Sequence, residues 1–231
     1  MKIFQAYYED NQVQELLPNL IPLDTRNFNS RRFEFDIFKH LRPHGDFGVV
    51  SWKFKRKTNL KFWEEEVREL LKTWDAVIIN PFPGIEAISY NCWQGHQSLI
   101  PAVNSIIDCN IFMDNMAFCS YIFAKKIWWD HYFNFIESKL NVLSLDKPAN
   151  YVRNSSYSME PFVIERLLNY CTEGAYMWQY PKEHYIEKFG NDSLYHLKQL
   201  KKNKAEWEKI AISYAKDSSK FCQVAALDDR G

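Results

Sequence analysis

The chain has 231 residues, with 29 Lys plus Arg set against 29 Asp plus Glu. That length suits one domain with a small helical appendage and can bury a full core. The charge balance excludes any global attraction to nucleic acid or other polyanions.

Aromatic residues make up 16% of the chain, including 8 Trp and 13 Tyr, more than a core alone calls for. Tyr and Trp also line sugar and nucleotide sites, because each offers a flat apolar face and a polar edge. The five Cys (92, 109, 119, 171 and 222) are an odd number without CxxC spacing. This argues for reduced thiols rather than disulfides or a zinc site. There is no signal peptide and no apolar run near 20 residues, so the expected location is cytoplasmic.

The spacing predicts a first strand over residues 3–8, ending in the turn cluster Glu9-Asp10-Asn11 and a short helix to 17. Residues 18–30, with two Pro and three Asn, read as irregular. Apolar residues at 33, 37, 38 and 41 predict a helix over 31–41. A second strand is read over 48–54, with Lys53 and Lys55 alternating against Trp52 and Phe54. An amphipathic helix follows over 60–74, and then a buried strand over 76–79.

That third strand stops at Asn80-Pro81 and delivers a polar-aromatic loop with Tyr90, Asn91, Trp93, Gln94 and His96. Buried strands that present such loops at their carboxyl ends build ligand sites in open α/β sheets. Helix is expected over 91–107, strand over 117–124, an aromatic-rich helix over 125–143 and a helix from 161 to 170. Two further helices are read over 182–202 and 204–217. The alternation of strand and helix predicts an α/β fold with a mixed, mostly parallel central sheet and flanking helices. Residues 1–180 form the α/β domain and 181–231 a helical C-terminal extension packed on it.

No glycine-rich phosphate loop, GxSxG elbow or HExxH motif occurs. His40, His44 and Asp46 lie close enough to hold a metal, but they read more simply as a solvated helix end. Glu34-Phe35-Asp36 is the nearest approach to an Asp-x-Asp pair, and at i,i+2 on a helix the two carboxylates diverge. The run Lys53, Lys55, Arg56 and Lys57 reads as a positive wall for a diphosphate or as a solvated edge. Glu165 and Arg166 flank the apolar face of a helix, where a carboxylate's proton affinity can be adjusted for base work; the alternative is a structural ion pair. Seven Lys between 198 and 220, interleaved with Trp207, Ile210, Ile212 and Tyr214, read as a peripheral contact with an anionic membrane or as the solvated face of a docked helix.

Two stretches together carry a family resemblance. One is the loop Asn80-Pro81-Phe82-Pro83 leading to Asn91-Cys92-Trp93-Gln94-Gly95. The other runs from Ala117-Phe118-Cys119-Ser120-Tyr121-Ile122-Phe123-Ala124 through Trp128-Trp129-Asp130-His131-Tyr132 to Phe162-Val163-Ile164-Glu165-Arg166-Leu167-Leu168. This order resembles glycosyltransferase-like proteins of bacterial capsule and O-antigen gene clusters. The second half is similar to galactofuranosyltransferase domains with a GT-A-like, Rossmann-like fold. The resemblance spans roughly residues 1–170 and implies transfer of a sugar from a nucleotide-diphosphate donor to a saccharide or lipid-linked saccharide acceptor. On that reading Tyr7, Tyr8 and Glu9 meet the nucleotide, with Asn80 also on the donor side. Lys53 and Lys55 meet the diphosphate, and Asn91, Trp93, Gln94 and His96 hold sugars. Glu165 is the general base or a sugar ligand, and Arg166 its orienter or a diphosphate contact. The usual Asp-x-Asp of GT-A enzymes is missing, so no metal ligand is assigned and Mg²⁺ or Mn²⁺ is left open. The competing expectations are a non-catalytic carbohydrate-binding or assembly protein of the same pathway, and an unrelated α/β hydrolase using His96 or His131.

Overall fold

In a computed structural model, the described residues are 1–28, 32–58, 63–80, 120–140 and 159–179, with 99, 103, 106, 107 and 117. Six strands form one sheet: β1 (Lys2–Tyr7), β2 (Ile21–Asp24), β3 (Phe47–Ser51), β4 (Ala76–Asn80), β5 (Ile122–Ala124) and β6 (Ala175–Gln179). The helices are α1 (Glu34–Leu41), α2 (Phe54–Thr58), α3 (Trp63–Thr73), α4 (Lys126–Leu140) and α5 (Glu160–Leu167). The strand order is β2-β1-β3-β5-β4-β6. β1 pairs in parallel with both β2 and β3, and β4 with β6. β5 runs antiparallel to its neighbours β3 and β4. The expected mixed, mostly parallel α/β sheet is therefore present.

Successive strand residues point to opposite faces, and both faces are covered. Phe4, Phe47, Val49, Ala76, Ile78, Ile122 and Ala124 pack under α1, α4 and α5. Ile3, Val50, Val77, Ile79 and Phe123 pack on the other side against Phe54 of α2 and Trp63 and Val67 of α3. A strand covered on both sides reads as a continuous apolar run, which explains the Ala76 to Ile79 segment.

Four departures from the sequence reading have local causes. The second strand stops at Ser51: the Trp52 N–H donates to the Ala6 carbonyl at 2.8 Å, and the chain turns directly into α2. Lys53 thus lies in the turn and Lys55 on a helix, so they do not share a strand face. The stretch expected to be irregular contains β2, whose Pro22 is tolerated because β2 is an edge strand. Of the strand read over 117–124, the part seen as strand among the described residues is Ile122–Ala124, and Ala117 is bound by the buried Asn169 amide, through its N–H at 2.6 Å and its carbonyl at 3.0 Å. β6 was not foreseen: after Gly174 (φ 69°), the run Ala175-Tyr176-Met177-Trp178-Gln179 shows no clean alternation of polar and apolar residues. The helix read over 31–41 starts at Glu34, and the one read over 161–170 starts at Glu160 and ends in a 3₁₀ turn, Leu168–Tyr170. The helices read over 182–202 and 204–217, and the whole extension 181–231, lie outside the described residues.

Gly48 shows how tightly β5 is held. It pairs with Phe123, and a methyl group on Gly48 would run into that ring. Gly48→Ala is expected to cost about 1–3 kcal/mol through overpacking, read as a lower denaturation midpoint. Phe123→Leu in the same chain should return part of the loss; no recovery would place the strain elsewhere.

Candidate functional site

The carboxyl ends of β1, β2 and β3, and the residues just before the antiparallel β5, meet at one rim of the sheet. β2 and β3 leave β1 on opposite sides, which is where open sheets leave a crevice. A cavity of about 640 Å³ opens there, within the usual range for small-molecule sites.

Each wall comes from a different element. Ala6 of β1 and Tyr8, the residue just beyond that strand, line the cavity, and Tyr7 between them is not on its wall. Tyr8 is held at the mouth by its N–H, which donates to the buried Gln12 Oε1 at 2.9 Å, and its ring meets Trp52 edge-on at 6.5 Å. Beyond β3, Ser51, Trp52 and Lys53 continue the wall. The Lys57 N–H donates to the Lys53 carbonyl at 2.9 Å, one helical turn along, so Lys53 and Lys57 both reach the cavity. Lys57 Nζ lies 5.8 Å from the Tyr121 ring centre, and the Tyr121 hydroxyl pairs with Ser51 Oγ at 3.1 Å.

The opposite wall is α1 and α5. Arg32, Phe33 and Glu34 enter from the start of α1, and Phe162, Ile164 and Glu165 from α5. Phe33 sits at φ 45°, a conformation costly for a bulky side chain. Asp36 turns away and accepts the Arg32 N–H at 3.0 Å. The divergence expected of the Glu34 and Asp36 pair is what the helix produces. Glu165 is gripped by Arg166: the guanidinium Nη1 donates to Glu165 Oε2 and to the Phe162 carbonyl at 3.0 Å, and its side chain is 3% exposed.

Glu34 was read only as a failed half of a chelating pair, yet it is a carboxyl group of the cavity wall whose proton affinity its surroundings raise. Glu34 is exposed toward the cavity, with protein crowding it on the other sides. Burial raises its carboxyl above the ordinary 4.5, its own backbone N–H opposes this, the Glu165 charge adds to the rise and Lys57 counters it. A raised folded value means that the native state holds the proton longer than the unfolded chain. Glu34 therefore favours the fold below about pH 4.5, and this is lost as pH rises toward the folded value. Glu34→Gln is expected to raise the melting temperature at pH 7 and to leave it unchanged near pH 4. Equal curves at both pH values would remove the effect of burial.

The other sequence candidates divide. Tyr8, Lys53 and Glu165 line the cavity, although they are far apart along the chain. Tyr7, Glu9, Lys55, Asn80 and Arg166 are not on its wall. Tyr7 faces Arg26, whose guanidinium lies 5.8 Å from the ring and also grips Asp24. The Glu9 carbonyl starts the 3₁₀ turn Asp10–Glu15. Lys55 points to solvent on α2, and Asn80 is buried at the end of β4. Asn91, Trp93, Gln94 and His96 lie outside the described residues. His40 packs on Phe28, His44 on Phe4, and Asp46 accepts the Lys126 N–H at the start of α4. Those three side chains serve three separate contacts, and among the described residues no three His, Cys, Asp or Glu side chains gather to hold a metal. His131 is exposed on α4, away from the cavity wall. Cys171 is a buried thiol pushed up to about 12 by burial, which leaves it inert as a nucleophile. No helix among the described residues is long and apolar enough to cross a membrane.

Comparison of the chain with protein-family models, with curated proteins and with solved structures finds no match.

Proposed function

We propose that the protein is a glycosyltransferase with a GT-A-like domain, moving a sugar from a nucleotide-diphosphate donor to a saccharide or lipid-linked saccharide acceptor in the assembly of bacterial surface polysaccharide. The observation that carries the reading is the meeting of Tyr8, Lys53 and Glu165 on one cavity at the strand ends. The division of charge around that cavity supports it. Lys53 and Lys57, beside the aromatic mouth of Tyr8 and Trp52, suit a base and its phosphates. Glu34 and Glu165 on the facing wall repel phosphate and suit sugar hydroxyls.

In this reading Glu165 takes the proton of the attacking acceptor hydroxyl. Arg166 acts on Glu165 rather than on the donor, fixing the carboxylate from behind through the bond it shares with the Phe162 carbonyl. The seven Lys of residues 198–220 are the proposed contact with an anionic lipid surface at the inner face of the membrane.

The test is a thermal-shift screen with UDP-, GDP- and CMP-linked sugars, with and without Mg²⁺ or Mn²⁺. A donor present at a hundred times its dissociation constant should stabilise the fold by about 2.7 kcal/mol. A response to free glycans and to no nucleotide would favour the carbohydrate-binding reading; silence throughout would end both.

A further inference from the structure

One polar group on the cavity wall has no role in the reading so far. Tyr132 of α4 is 2% exposed and lines the cavity, and its hydroxyl, which makes no hydrogen bond within the described residues, keeps contact with the solvent of the cavity. Buried phenols almost always find a partner, and an exception calls for a ligand or an ordered water. The ring has little freedom. It stacks on Trp128 at 5.4 Å and 10°, meets Trp129 and Phe133 edge-on, and is tilted against Phe35 and Phe38. The hydroxyl is thus fixed in place without being used. Burial keeps it protonated, and the Glu34 charge acts in the same direction. It remains a neutral donor and acceptor on a cavity wall that it shares with the Glu34 carboxyl group.

We propose that Tyr132 and Glu34 form an inner subsite of this cavity for a neutral, hydroxyl-bearing ring, the sugar of a glycoside, with the phenol and the carboxyl group bonding neighbouring hydroxyls. The proposal rests on the cavity being a saccharide site but not on the nucleotide. Three features select this chemistry. An anion is disfavoured by Glu34 and Glu165 on the same wall. A metal ion lacks a third His, Cys, Asp or Glu ligand among the described residues. An apolar ligand would leave the phenol unbonded, whereas a sugar offers C–H faces to Phe33 and hydroxyls to the polar pair.

The experiment uses the full chain labelled with ¹³C at the Tyr ring and at the Glu carboxyl carbon. Signals of Tyr132 and Glu34 are assigned by Tyr132→Phe and Glu34→Gln, each of which keeps the shape of the side chain it replaces. Galactose, glucose, mannose and N-acetylglucosamine are titrated first, then UDP, GDP, CMP, magnesium chloride and ethylamine. At least one monosaccharide is expected to move both signals, and Tyr132→Phe should weaken its binding by about three- to tenfold. A sugar that moves both signals while no nucleotide binds anywhere keeps the subsite and ends the transferase reading. Nucleotide binding with both signals unmoved by every sugar ends the subsite and spares that reading. Movement with magnesium or ethylamine alone overturns the proposal in favour of a cation site, and equal sugar affinity in Tyr132→Phe and the parent chain removes the phenol from it.

Discussion

Glu165→Gln is expected to lower the rate of sugar transfer by about 10²- to 10⁴-fold, the usual contribution of a positioned general base. The amide keeps the outline of the carboxylate and still accepts a hydrogen bond from Arg166, so the cavity wall should survive. It cannot take up the acceptor's proton. KM for the donor should change little, since the proposed arrangement puts the donor's phosphates at the Lys53 and Lys57 end of the cavity. The fold does not escape untouched. Arg166 is buried and donates to Glu165, and replacing a charged acceptor by a neutral one costs about 1 kcal/mol. A melting temperature about 2–4 °C lower is therefore expected alongside the loss of turnover. Turnover at the parent rate would take Glu165 out of the chemistry whatever happened to the melting point.

The largest effect on stability is expected at Trp129. Its indole lies flat on Phe47 of β3, with ring centres 4.3 Å apart and planes at 3°, and its Nε1–H donates to the Phe47 carbonyl at 3.1 Å. Phe38, Tyr132 and Phe133 close around it. Trp129→Ala removes the clamp between α4 and the sheet and leaves a cavity that rigid neighbours cannot refill. A loss of about 3–5 kcal/mol is expected, on the order of 10 °C in melting temperature. Trp129→Phe keeps ring contact and gives up the N–H, so it should lose less. Equal losses in the two variants, measured by urea unfolding, would assign the effect to the hydrogen bond rather than to packing.

How far the sequence could be read depended on how long each pattern ran. Ala76 to Ile79 and the helix around Trp63 and Val67 were legible because burial imposes several matching residues in a row. β2 was hidden by Pro22, which signals a break unless the strand is known to lie at an edge. β6 was hidden because Ala175-Tyr176-Met177-Trp178-Gln179 carries no clean polar–apolar alternation. At the site, Glu165 stood out because it sits beside Arg166 on an apolar helix. Lys57 was seen only as one charge in a run, since which lysines face inward depends on where the strand gives way to α2. Glu34 was weighed against Asp36 alone, because the burial that shapes it, and the lesser push of the Glu165 charge, come from elements distant along the chain. Tyr132 read as core, and it is core; only the cavity reveals that one end of it is polar and unspent.

The antiparallel β5 has a consequence for how the chain reaches its native state. During synthesis β1, β2 and β3 can pair as soon as they emerge, but β4 cannot join them, since its neighbours in the finished sheet are β5 and β6. Until residue 122 arrives, β3 and β4 each present an unsatisfied ladder edge, the kind of surface that invites association with other chains. The insertion of three residues, Ile122 to Ala124, therefore unites two half-sheets late, once partners distant along the chain have met. Refolding should be slow and prone to aggregation at high concentration, with amide protection appearing first in the β2-β1-β3 half.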